Sequence, residues 1–159
     1  MRNYIKNEED AVNRIKKYLG FLFDRGFEIV YKLFDEKAMG NWIVVLRSKE
    51  CIIRFIQDRG EIRIEIGPPW ASTELSPKEH FVYPQTLLKY INNDQSITRP
   101  SFDDLGPDDQ LQKLNTFLVS HLDELILFLN RADFVEQEAK IDAFALVKFK
   151  KLFPNAFQA

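Results

Sequence analysis

Cys51, His80, His121 and Trp70 are the residues of this chain whose side-chain chemistry is most readily put to use. A nucleophilic cysteine needs a neighbouring base and an electropositive setting that lowers its pKa. Cys51 instead opens the run CIIRFIQ, and its Ile and Phe neighbours predict a buried, inert thiol. As the sole cysteine it excludes a disulfide framework and a multi-cysteine metal site. Two histidines leave little for a His-rich metal centre, and the sequence assigns no metal, cofactor or catalytic residue. His121 sits beside Leu118 and Leu122 in a helical repeat of leucines and is expected to be structural. His80 follows Pro77, Lys78 and Glu79 in an irregular stretch. Loops carry functional groups more often than helix interiors do, so His80 is the better candidate. The chain has no glycine-rich phosphate loop, GxSxG elbow, HExxH pair or CxxC pair.

Trp70 directly follows Gly67-Pro68-Pro69. A double proline holds the next residue on a stiff, extended backbone. Trp70 is therefore either a plug for the end of a sheet or an aromatic anchor for a ligand or partner, a role in which Trp is enriched. Charge supplies the other candidates. Residues 1–66 carry 13 Lys and Arg against 11 acids, whereas residues 67–159 carry 9 against 13. Between 103 and 142 ten acids face three bases, so the imbalance is local. Asp103, Asp104, Asp108 and Asp109 flank the start of a long helix, where capping and the helix dipole account for them. Asp123, Glu124, Glu136 and Glu138 cluster instead around a helical bend, as a solvated face or as a docking surface for a basic partner. Trp70 and Trp42 are the aromatics available to anchor that partner. Basic residues are dispersed, and Lys148, Lys150 and Lys151 lie at a helix C-terminus where cations are expected, so no nucleic-acid stripe is predicted.

These residues must be positioned by elements that the periodicity predicts. A helix is expected over 8–23, with Asn7 as its cap, and Gly26 marks its end. The apolar period then changes from 3.6 to 2 over 27–34, 42–47, 51–57 and 61–66. The intervening segments are too short for parallel crossovers, which predicts a four-stranded antiparallel meander with Asp58-Arg59-Gly60 as its last turn. Ile62, Ile64 and Ile66 should face the core, and Glu61, Arg63 and Glu65 a partly wet face. Residues 67–80 read as loop, 84–92 as a short helix and 93–106 as irregular. Helices over 108–130 and 134–152, separated by Asn130–Asp133, predict an antiparallel helical hairpin on one sheet face; in the second, Ile141, Phe144, Ala145, Lys148 and Leu152 recur at helical spacing. The class is α+β. At 159 residues one domain is expected, divided into 1–66, 67–106 and 107–159 by secondary structure only, with about 70% of the chain's surface buried. The polar N-terminus and the lack of any apolar run near 20 residues predict no membrane segment and a reducing, cytoplasmic setting.

The stretch GNWIVVLRSKECIIRFIQDRGEIRIEIG (40–67) resembles segments of small bacterial proteins, some encoded in toxin–immunity cassettes. Its most specific element is Asp58-Arg59-Gly60 after an alternating strand, and it covers about a fifth of the chain. The resemblance implies inhibition of a cognate toxin by direct binding, and no catalytic residue. The expectation is a non-enzymatic bacterial protein-binding domain, an immunity-type inhibitor of a basic partner. The alternative is a small-molecule-binding domain or minor hydrolase with a pocket near Trp70 and His80.

Overall fold

The computed structural model describes residues 4–73, 80–97 and 100–157, without the side chains of Lys148, Phe149, Ala156 and Phe157. Two N-terminal helices, α1 (Glu8–Tyr18) and α2 (Gly20–Asp24), precede the strands β1 (Glu28–Asp35), β2 (Asn41–Arg47), β3 (Ile52–Asp58) and β4 (Glu61–Gly67). Helices α3 (Pro84–Asn92), α4 (Pro107–Leu129) and α5 (Phe134–Leu152) follow, then a 3-10 turn (Pro154–Phe157). The architecture is α+β. Part of the expected 67–80 loop, residues 74–79, lies outside the described residues. Among the described residues no helix is long and apolar enough to cross a membrane.

The single helix expected over 8–23 is two. Asn7 caps α1 by accepting from the Asp10 amide at 2.8 Å, and the helix stops at Tyr18. Leu19 leaves helical geometry immediately before Gly20, the weakest helix former of the stretch. Gly26 then adopts φ +87°, which lets the Phe27 amide return to the Leu22 carbonyl and turns the chain into β1.

The sheet is the expected antiparallel meander in the order β1-β2-β3-β4. Arg59 and Gly60 at φ +51° and +86° form the two-residue β3–β4 turn, and Asn41 holds it by accepting from the Arg59 amide. Register puts Leu46, Ile53 and Ile66 in one row and Val44, Phe55 and Ile64 in the next, all buried beneath the helices. α4 covers this face with Leu111, Leu114, Leu118, Leu122, Leu125 and Leu129. Gln110 fixes its N-terminal end, accepting from the Ile62 amide and donating to the Gly60 and Leu105 carbonyls.

One expectation holds in part and another needs correction. The face carrying Glu61, Arg63 and Glu65 is partly wet, as expected, with Glu61 and Arg63 half-buried. Toward Gly67 it carries a second small core of Val45, Ile52, Ala71 and Phe81, and Glu65 is buried there. The helical hairpin is also open. After the bend at 130–133, α5 takes its neighbours from α3 rather than lying back along α4. Its inward side chains are Phe134, Ile141 and the half-buried Phe144, whose ring meets that of Tyr90 on α3. Ala145 and Leu152, expected on the inward stripe, are exposed, and the Lys148 side chain lies outside the described residues.

Candidate functional site

The site grows from the end of β4. Ile66 and Val82 exchange both backbone hydrogen bonds at 2.9 Å, so the chain that leaves β4 returns beside it. The approach is close enough to require a glycine. A Cβ at Gly67 would stand 2.7 Å from the His80 carbonyl oxygen, an approach real Cβ atoms do not make. The first residues of the returning segment lie over β3. There Arg54 is buried, with its guanidinium 3.5 Å from the Phe81 ring centroid and 3.5 Å from a Glu65 carboxylate oxygen, and it donates to the Ser72 carbonyl. Burial lowers its pKa and Glu65 opposes that fall. Stacking, an ion pair and a carbonyl acceptor compensate the buried guanidinium.

His80 closes the segment at φ +70°, a left-handed conformation that a non-glycine residue adopts only when its surroundings hold it there. Glu138 of α5 does this with one carboxylate. Oε1 accepts from the His80 amide and Oε2 meets the ring Nδ1, both at 2.8 Å. With a carboxylate as acceptor, Nδ1 carries the proton, so in the neutral ring Nε2 is the lone-pair nitrogen. Trp70 lies against that ring, centroids 4.7 Å apart and edge-on at 64°. Its own residue stays 57% exposed. The indole is thus presented rather than used as a plug, and its orientation is fixed by an imidazole that Glu138 fixes in turn.

Three residues singled out in sequence, Trp70, His80 and Glu138, are therefore brought together. The others are not. Trp42 is 1% exposed within the main core, so it cannot anchor a partner. Its alternation with Val44 and Leu46 on one strand face is the cause. The acids are spread over different neighbours instead of forming one field. Asp123 accepts from Arg25 at 2.7 Å, Glu124 from Asn92 at 2.8 Å, and Glu136 pairs with Lys140 at 3.5 Å. Asp142, one turn beyond Glu138, has its pKa raised by partial burial and by Glu138. Cys51 is fully buried, and desolvation pushes its thiol up to about 12, the opposite of what a nucleophile needs. His121 is half-buried against the Phe117 ring.

A cleft of about 430 Å³ lies at the other end of β4, lined by Gln57, Arg59, Glu61, Phe102 and Gly106 among others. It does not include Trp70 or His80, where the pocket was expected. Among the described residues no group of three His, Cys, Asp or Glu side chains is placed to hold a metal ion.

No family model, curated protein or solved structure matches this chain. The site is therefore read from its own geometry. Sequence reasoning missed Gly67, Arg54, Glu65 and Phe81. One signal was available: Arg54 and Glu65 are opposite charges facing each other at mid-strand, and an ion pair there implies something covering it.

Proposed function

We propose that this chain is a protein-binding domain whose recognition site is centred on Trp70. The observation that carries this reading is an exposed indole held in one orientation through His80 by Glu138. A rigid, amphipathic ring loses little entropy on binding, which is why tryptophan dominates interface hot spots. Glu138 and Asp142 give the same neighbourhood acidic character, so the fitting partner offers an apolar pocket for the indole and a basic rim. The narrower reading, an immunity-type inhibitor that blocks a basic toxin, rests on the resemblance of residues 40–67 alone.

A second reading draws on the His80–Glu138 pair, which is the orienting half of a general base. It keeps a minor hydrolase as the alternative, with Nε2 as the acting nitrogen.

The test is capture of partners from the native host with wild type and Trp70→Ala, followed by rate measurement on the purified pair. Removal of an anchoring tryptophan should raise the dissociation rate roughly thirty-fold, about 2 kcal/mol. A bound partner whose dissociation ignores Trp70→Ala refutes the reading. Ester hydrolysis abolished by His80→Ala but indifferent to Trp70→Ala selects the alternative.

A further inference from the structure

The cleft at the far end of β4 is a built cavity with a fixed floor. Gln57 and Gln110 line it, and both are buried. Gln110 accepts from the Ile62 amide and donates to the Gly60 and Leu105 carbonyls, so one side chain ties the β3–β4 turn to the segment before α4. Asn41 holds the same turn from β2, donating to Asp58 and accepting from the Arg59 amide. These walls are in place before anything binds, and about 430 Å³ is room for a small organic molecule.

Gln57 sets what the floor asks of a ligand. It is 8% exposed, and its Nε2 donates to the Gly40 carbonyl at 3.1 Å. Its Oε1 accepts from no described residue, and it is not among the polar atoms sealed from solvent without a partner. An open acceptor on a nine-tenths-buried side chain calls for a donor. The neighbouring wall is apolar, with Ile5 and Phe102 buried. Glu61 is half-buried, and Asp103 and Asp104 are exposed at the rim. Three carboxylates against one cation, the exposed Arg59, leave the lining at a net charge of −2. The positive end of α4 also borders the cleft at Gly106 and Pro107, and Asp108 and Asp109 in its first turn offset it.

Exclusion narrows the ligand. An anion would meet three carboxylates. A purely apolar molecule would take water from the floor acceptor and leave it unpaired. A metal ion needs its ligands gathered, and among the described residues no three His, Cys, Asp or Glu side chains are placed to hold one. Positive charge spread along a flexible carbon chain meets every requirement. We propose that the cleft binds a linear aliphatic di- or polyamine. One ammonium donates to Gln57 Oε1, the methylenes lie along Ile5 and Phe102, and a second ammonium reaches the rim carboxylates. Trp70 does not line this cleft, so the two sites stand or fall separately.

Titration calorimetry of the full chain with spermidine should show saturable one-to-one binding that weakens as salt is raised. Butylamine keeps the carbon stem and loses the second charge, and should bind about ten-fold more weakly; glutarate, a dianion of similar length, should not bind. Asp103→Asn with Asp104→Asn should weaken spermidine about ten-fold, and Asn tolerates the left-handed conformation of Asp104. Asp24→Asn with Glu136→Gln removes the same charge from exposed positions outside the cleft and should leave the affinity unchanged. Thermal unfolding without ligand checks that both double variants are folded. In the wild-type chain, bound spermidine should shift the Gln57 side-chain amide resonances and leave the Trp70 indole resonance in place. No saturable binding at about 1 mM spermidine, equal binding of glutarate, unmoved Gln57 resonances, or equal losses in the two double variants each overturns the proposal.

Discussion

α4 and α5 are consecutive helices of 23 and 19 residues, both rich in Leu, Val and Phe, and they are packed in opposite ways. α4 gathers its leucines on one stripe and presses it onto the sheet, leaving only Val119 and Leu127 as exposed large apolar side chains. α5 divides its apolar residues between two faces, and only Phe134 and Ile141 of its described side chains are fully buried. Content of apolar residues does not decide burial. Angular distribution around the axis does, because a helix on a sheet can bury only one stripe. The same contrast separates the chain's framework from its surfaces. α4 holds the sheet, while α5 supplies Glu138 to the Trp70 site.

The two helices should differ most in stability. Leu118→Ala in α4 should cost about 3–5 kcal/mol in chemical denaturation through lost burial and a cavity. Leu146→Ala in α5, an exposed position, should cost less than about 0.5 kcal/mol, the range of surface substitutions. Similar losses at the two sites would mean that α5 is as much a part of the core as α4.

Alkali offers a second probe of the framework. A thiol whose folded pKa stands near 12 against 9.0 keeps its proton in the fold while the unfolded chain gives it up. Stability should therefore fall as pH rises above 9, by at most about 1.4 kcal/mol per unit until 12, and Cys51→Ala should flatten that slope. Below pH 9 the group contributes no pH dependence. Native Cys51 should also resist a maleimide at neutral pH and react only on unfolding. Rapid native labelling would contradict the placement of Cys51.

A smaller effect sharpens the site. Gly67→Ala puts a methyl against the His80 carbonyl, which must move. The expected cost is about 1–2 kcal/mol, with a change in Trp70 emission as its ring loses the His80 contact. Trp42, buried in the core, provides the constant background. Unchanged emission would show that the indole is not oriented through His80.

Much of this was legible from spacing. The alternation of Ile62, Ile64 and Ile66 named the buried face, and Asp58-Arg59-Gly60 named the turn, because period and turn chemistry are local. The site was legible only in its members. Trp70, His80 and Glu138 stood out as residue types, but their meeting depends on α5 reaching the end of β4, a contact 58 residues apart in sequence between His80 and Glu138. Trp42 was misjudged because its residue type outweighed its position in the Trp42–Val44–Leu46 alternation. The helix break at Gly20 and the open hairpin were missed for one reason. Periodicity shows which side of a helix is apolar, not which neighbour will cover it.

The most direct measurement is native hydrogen exchange of α4 and α5. Amides of 111–129, on the helix that buries a full leucine stripe, should be strongly protected. Those of 143–152, on a stretch whose described side chains are nearly all exposed, should exchange markedly faster. Protection of 143–152 equal to that of 111–129 would contradict the division of labour between the two helices.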